Sequence, residues 1–492
     1  MMKRSYLLIV GLSCLILNSC FEDQDDNLIS ASEINDFVWK GMNAFYLYKD
    51  NINDLANDRF ETNEEYTDYL NSFANPEALF ETLVYLPDDV DEFSVLFPNY
   101  FELEQILQGT SLSNGMEFGL FRYPDGSDNV FGLVRYILPN TSAEEKGVAR
   151  GMIFTEVDGQ QLSLSNFQGL LFGSNTTYTI SLANYLNMGT EDSGDDMLEP
   201  TGTSFELTKT AYTENPILID DVIERNGINI GYLMYNGFRS SNASLSELNA
   251  VFGRFSSQGV NELVLDLRYN GGGSVDTAIW LSSMITGQYT GEVFFEENWN
   301  SDIQSFFLAN DPEALANRFT DIMIKRDSGG SIVFEEAINS LNLSRVYILT
   351  TGSTASASEL VINGLNPYID VIQIGTSTLG KPQASRTIYD SEDFGRLNTN
   401  PNHTYALQPL IYESSNIDGF STYYDGLDPS SGFEQSESLL NMGVLGNINE
   451  PLLARAIDDI VGLSRSGIQP SLNLEPISDE VFKHPVTFKM IH

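Results

Sequence analysis

The rhythm of apolar and polar positions changes twice along this chain. Over residues 30–50, Ile34, Val38, Met42 and Phe45 recur at helical spacing, and Ser30 with Glu33 reads as a capping box. Helical patterning continues to about residue 108 and includes "NPEALFETLVYL", where Pro76 suits a first helical turn because no intrahelical bond needs its missing N–H. The pattern predicts a small helical N-terminal domain over 30–108, with its aromatics in the core. From 109 to 211 apolar and polar residues alternate in short runs between turn dipeptides, which predicts a β-rich module. From 212 to 465 strand patterns alternate with helix patterns, the mark of an α/β domain. Its clearest strands are "INIGYLMYNGF", "ELVLDLRYN", "SRVYILTT" and "DVIQIGT"; its clearest helices are "VDTAIWLSSMIT" and "ASELVINGL". Residues 466–492 read as a polar tail with some apolar character, to which the pattern assigns no element.

Composition agrees with a globular chain: 42% of residues are hydrophobic and 11% aromatic, and 492 residues suffice for roughly three domains. The net charge of −44 excludes nucleic acid as a partner.

The first twenty residues, "MMKRSYLLIVGLSCLILNSC", join a basic start to an apolar run too short to span a bilayer comfortably. Leu17-Asn18-Ser19-Cys20 resembles a bacterial lipobox, which implies a signal peptide over 1–19 and acylation of Cys20. Removing that signal takes Lys3 and Arg4 and no acid, so the net charge becomes −46. Cys14 would leave with it, and the remaining chain would hold no free thiol, disulfide or cysteine metal site. Residues 20–29, with "FEDQDDN", form an acidic tether; it reads as a solvated linker and also resembles the export tag of Bacteroidota-type surface lipoproteins. The expectation is an outer-membrane-anchored lipoprotein of the cell envelope, periplasmic or surface-exposed, with the membrane reached through the lipid on Cys20.

Candidate chemistry centres on "TTGSTASASELVINGL", residues 350–365, where hydroxyl residues crowd a strand-to-helix turn. A serine there is either a helix cap or a nucleophile. Of the three histidines, only His403 is placed to serve a Ser-His-Asp triad, since His484 and His492 lie in the tail. No clustered His/Cys pattern suggests a metal, and no cofactor is implied. The other available base is lysine, of which there are nine. Lys381, in "TSTLGKPQ", follows a strand and has no acid near it in sequence from Val371 to Arg386; burial there would lower its pKa toward neutrality.

Two family resemblances follow from these residues. Gly147-Val148-Ala149-Arg150-Gly151-Met152-Ile153 and Val157-Asp158-Gly159 resemble the helix, turn and strand of a PDZ domain over 109–211. That likeness implies capture of peptide C-termini by strand addition, with Phe118-Gly119-Leu120 as the candidate carboxylate loop. "LVLDLRYNGGGSVDTAIWL", "GSTASASELVINGL" and "IGTSTLGK" resemble the S41 family of C-terminal processing peptidases. The likeness implies a ClpP/crotonase-like α/β domain over 212–465. It also implies a Ser-Lys dyad, which by position is Ser356 as nucleophile and Lys381, 25 residues later, as base. The oxyanion donors would be the N–H of Ala357 and that of Gly272 or Gly273. Glu359 is expected to orient structure rather than move protons. The glutamine that the family often carries four residues after its lysine is Ser385 here, with Gln383 two residues on, so either would serve. The implied activity is serine endopeptidase cleavage of proteins or peptides near their C-termini. A non-catalytic peptide- or glycan-binding lipoprotein on the same fold is the alternative class, and a hydrolase using His403 a third.

Overall fold

The computed structural model describes residues 32–87, 89–190, 193–327, 329–463, 476–477 and 490–491. The expected signal peptide, Cys20, the acidic tether and Ser30 lie outside them. Helix α1 (Glu33–Phe45) has Ser32 at its N-cap and no side-chain cap there. Glu33 is the first helical residue, whereas a capping-box acid must be the third, so the expected pairing with Ser30 is corrected. Helix α2 (Pro76–Leu83) opens with the Asn75 side chain accepting from the Ala78 N–H, and Pro76 stands in its first turn. Phe37, Val38 and Met42 pack with Leu79 and Leu83 in a core that also takes in Ile388 and Leu407. The N-terminal helices therefore close their core on a segment from late in the chain. Strand β1 (Val95–Phe97) extends that union by pairing with residues 406–408.

The β-rich module is an antiparallel sheet in the order β2 (Met116–Arg122), β3 (Val130–Ile137), β4 (Ile153–Val157), β5 (Thr177–Leu186), β6 (Met197–Thr208). Helix α3 (Ser142–Lys146) precedes β4 and is closed by Gly147 in the left-handed conformation that favours glycine; α4 (Phe167–Phe172) precedes β5. Phe118, Gly119 and Leu120 do not form a loop. They are the middle of β2, paired with Val134, Leu133 and Gly132. Gly119 imitates a loop signal, but it is glycine inside a strand because Arg135 and Phe121 lie 3.0–3.1 Å from where a Cβ would stand. As the terminal strand of this sheet, β2 turns one row of backbone groups away from β3, and on that row Leu120 O accepts from the Ile477 N–H.

The α/β region is built on β7 (Ile217–Arg225), β8 (Ile228–Tyr235), β9 (Glu262–Asp266), β13 (Arg345–Thr350) and β14 (Asp370–Gly375), adjacent in that order. Strands β7 and β8 are antiparallel; the later pairs are parallel. Between β9 and β13 come β10 (Gly273–Ser274), β11 (Val293–Trp299) and β12 (Ala316–Arg318). Leu233, Leu265 and Ile348 face helices α5 (Asn242–Ser257), α6 (Val275–Thr286) and α7 (Ala357–Leu365). Tyr232, Val264 and Tyr347 face α8 (Pro451–Ile460) on the other side. Both faces are covered, which is why these strands read as unbroken apolar runs. A second sheet runs β10, β18, β15, β17, β11, β12, with β15 (Gln383–Ser385), β16 (Ala406–Gln408, the partner of β1), β17 (Leu410–Ser415) and β18 (Met490–Ile491). The tail, to which the pattern assigned nothing, thus contributes a strand.

Candidate active site

Strand β9 ends at Asp266 and hands over to Arg268, whose guanidinium is fully buried. It donates to Asp266 at 2.8–3.1 Å, to Glu450 at 2.7 and 2.9 Å and to Glu437 at 3.0 Å. Arg150 of the β-rich module joins through Glu437, and the two guanidinium groups hold that carboxyl down at about 2 against its burial. This network anchors the turn that follows. Asn270 donates to the Tyr235 carbonyl at 2.7 Å and accepts the Gly272 N–H at 2.9 Å.

Gly272 and Gly273 have φ of +108° and +138°, open only to glycine. A Cβ on Gly272 would lie 2.8 Å from the Ser356 Cβ and 3.1 Å from the Ala357 nitrogen, so the turn sits directly against the candidate nucleophile. The Gly272 N–H is committed to Asn270. Phe238 bonds Gly272 O and the Ser274 N–H on one edge, so by strand alternation the peptide groups of Gly273 face the opposite edge, toward β18. Of the two expected oxyanion glycines, Gly273 is the one whose N–H is turned away from Phe238, toward β18. Gly272→Ala is expected to cost about 1–3 kcal/mol of stability through its positive φ and the crowding at Ser356, measured by urea unfolding.

Strand β13 delivers the chain to the hydroxyl cluster. Thr350 donates to the Thr376 carbonyl, Thr351 to Arg268 O, Thr354 to Leu267 O and Ser358 to Asn270 O. These four hydroxyls fasten the turn to its neighbours. Ser356 differs: its Oγ is buried and has no hydrogen-bond partner among the described residues. Its backbone is at φ +63°, a conformation that costs a non-glycine residue about 1–3 kcal/mol and projects the side chain out of the strand-to-helix turn. Ser356 is the residue before α7, so its hydroxyl lies at the helix N-terminus, where developing negative charge is favoured.

Glu359, in the first turn of α7, is fully buried and accepts four hydrogen bonds. They come from the N–H of Ser356 (2.6 Å), Lys381 (2.9 Å) and Gly380 (2.7 Å) and from the Thr378 hydroxyl (2.6 Å). Burial raises its pKa and these bonds oppose that shift. Oxygen Oε2 holds the main-chain nitrogens of Ser356 and Lys381 at 2.6 and 2.9 Å, so the two backbones pass within 5.5 Å, the sum of those distances. A positioning part suits Glu359, as expected from its sequence.

Lys381 is fully buried, and desolvation lowers its pKa to about 7, against smaller opposing pulls from Asp91 and Glu359. Its Nζ lies 4.7 Å from the centre of the Phe93 ring. Asp91 is held by the Tyr46 hydroxyl and by the N–H groups of Phe93 and Ser94. Phe93 and Asp91 come from the N-terminal region, and no local signal in the sequence marked them. Gln383 donates to the Tyr48 hydroxyl at 2.9 Å; Ser385 lies two residues on in β15, past a register shift between Ala384 and Ser385. His403 is engaged elsewhere: Nδ1 accepts from the Tyr405 N–H at 3.1 Å and Nε2 donates to Asp390 at 2.9 Å, with the ring against Phe37. Neither nitrogen serves Ser356.

This architecture is an S41 peptidase fold, mixed α/β with an N-terminal domain. Residues 229–398 match peptidase family S41, and residues 33–95 match the peptidase S41 N-terminal domain. The chain carries the domains of the S41 peptidase family. It is 25% identical over 181 residues to a carboxyl-terminal-processing protease of Picosynechococcus, covering 37% of this chain and 36% of that one. It is 22% identical over 283 residues to the chloroplastic carboxyl-terminal-processing peptidase 1 of Arabidopsis thaliana, covering 57% of this chain and 49% of that one. The matched regions thus span between a third and a half of the length of these two relatives. A crystal structure from Bacteroides fragilis, named as a candidate S41 protease, superposes with a TM-score of 0.63 at 26% identity, over 87% of this chain and 97% of that one.

Proposed function

We propose that this protein is a serine endopeptidase that cuts polypeptides near their C-termini through a Ser356–Lys381 dyad. The observation that carries the reading is the division of labour among the hydroxyls: four are tied to carbonyls, while Ser356 Oγ has no partner among the described residues. Its helix is pinned by Glu359 to the backbone of a lysine whose pKa burial brings to about 7. Neutral Lys381 takes the proton as Ser356 Oγ bonds to the scissile carbonyl carbon. The tetrahedral oxyanion is received by the N–H groups of Ala357 and Gly273. Lys381 then gives the proton to the departing amine as the C–N bond breaks, and water hydrolyses the acyl-enzyme by the same path.

In this reading the α/β region is ClpP/crotonase-like, and the module over 109–211 is a PDZ-like reader of peptide C-termini. Acylated Cys20 would hold the protein at the outer membrane. The reading is tested by incubating the full chain and its Ser356→Ala variant with an unfolded protein, its C-terminus either free or amidated. Mass spectrometry should find fragments cut near the free C-terminus with the parent only, and fewer from the amidated substrate. Equal digestion by both proteins overturns the reading.

A further inference from the structure

Two short pieces of the tail are described, and each lies where a peptide substrate would be expected to lie. Pro476 forms an antiparallel bridge with Phe121 of β2, the edge strand of the module, and the Ile477 N–H donates to the Leu120 carbonyl at 3.0 Å. The register suits the residue. Pro476 occupies a non-hydrogen-bonded pair position, where the N–H would point away from the partner strand, so its missing donor leaves no gap in the ladder. Ile477 is 8% exposed and belongs to the module's core with Leu120, Phe167 and Leu171. This is strand addition with one apolar side chain seated, the chemistry of peptide capture at a sheet edge.

The second piece is β18. Met490 and Ile491 run parallel to Gly273 and Ser274 on one side, and Ile491 pairs with Ser385 on the other. The pair therefore fills a slot between β10 and β15 and completes the second sheet. One wall of the slot is Gly273, whose N–H faces it and whose neighbour Gly272 packs against Ser356.

We infer that the tail is an intramolecular ligand of both peptide sites, held by Pro476–Ile477 on the edge of β2 and by Met490–Ile491 in the slot between Gly273 and Ser385. An extended substrate then has to displace it. The inference rests on the peptidase reading only in naming the slot a substrate cleft. A ligand tethered in cis competes by effective concentration rather than by its bulk concentration, so the resident tail masks both sites from a free peptide.

The test uses binding, so that it stands apart from catalysis. A fluorescent peptide with the sequence of residues 474–492 is titrated into the full chain carrying Ser356→Ala, which prevents cleavage, and into the same chain carrying Ile477→Asp as well. A carboxylate at position 477 cannot enter the apolar seat, so the doubly altered chain should bind the peptide at least about tenfold more tightly. Ile477→Val should leave the affinity within about twofold of the Ser356→Ala chain. Equal affinity for the chain with Ile477→Asp and for its Ser356→Ala parent overturns the inference. A chain ending at Leu463 makes the same comparison without an introduced charge, and affinity there no tighter than that of the Ser356→Ala chain overturns it too. If the parent protein shows no peptidase activity while these affinities separate, the function reading fails and the tail assignment stands.

Discussion

Lys381→Met is expected to lower kcat/KM on an unfolded substrate by at least about 10³-fold, and Ser356→Ala by a similar factor, with the double variant no worse than either alone. Groups that act as one unit lose most of their effect when either is removed, so the penalties do not add. In the proposed mechanism the size reflects what the base does, since without it the serine hydroxyl would have to lose its proton to water in a buried site. The parent should show an activity limb that rises with pH, with a midpoint at about 7, because only neutral Lys381 accepts a proton and burial brings its pKa to about 7. The same shift has a signed effect on stability. Lys381 binds a proton less readily in the folded chain than in the unfolded one. That penalty is full below about pH 7 and disappears as pH rises to the ordinary lysine range near 10.5. Lys381→Met removes it, so the inactive variant should unfold at the same or higher denaturant concentration at pH 6. An inactive Lys381→Met chain that is also strongly destabilised at pH 6 would contradict the assignment of Lys381 as a buried, unfavourable base.

The second large effect is expected at Glu359. Glu359→Ala orphans the N–H groups of Ser356, Gly380 and Lys381 and the Thr378 hydroxyl, all inside the protein. Each unsatisfied buried group costs about 1–3 kcal/mol, and water entering the gap recovers part of the total. A loss of at least about 3 kcal/mol in unfolding free energy is expected, together with loss of activity, since the nucleophile turn and the lysine turn no longer share an anchor. Glu359→Gln keeps one acceptor oxygen and should lose less. Urea unfolding and kcat decide it; a loss below about 1 kcal/mol for Glu359→Ala would mean that the hub holds nothing.

What was legible in the sequence was local. Helices over 275–286 and 357–365 end where the patterns end, because glycine turns and a following polar segment mark them. Ser356 and Lys381 stood out through spacing and through the glycine and hydroxyl signals around them, and the structure brings their backbones together. Two local readings went astray for the same kind of reason. Ser30 and Glu33 imitate a cap at a helix whose true N-cap is Ser32, and Gly119 imitates a loop in a strand where side chains from elsewhere need its space. What was not legible depends on distant contacts. The segment around Lys381 looks free of acids, yet Asp91 and Glu359 both act on it. The Phe93 ring beside its ammonium also comes from the other end of the chain. No window around residue 381 contains that information.

On the proposed reading, the Phe93 side of the Lys381 pocket also bears on when the molecule is capable of reaction, with Asp91 pulling the other way. A lysine exposed to water has an ordinary pKa near 10.4 and is almost wholly protonated at neutral pH. A neutral amine at position 381 near pH 7 therefore depends on burial, to which the docked N-terminal region contributes the Phe93 ring. On the proposed reading, a chain whose N-terminal region has opened would have the serine and the lysine in sequence but no neutral base to accept the proton. On that reading, docking of the N-terminal region and hydrolytic competence are one event rather than two.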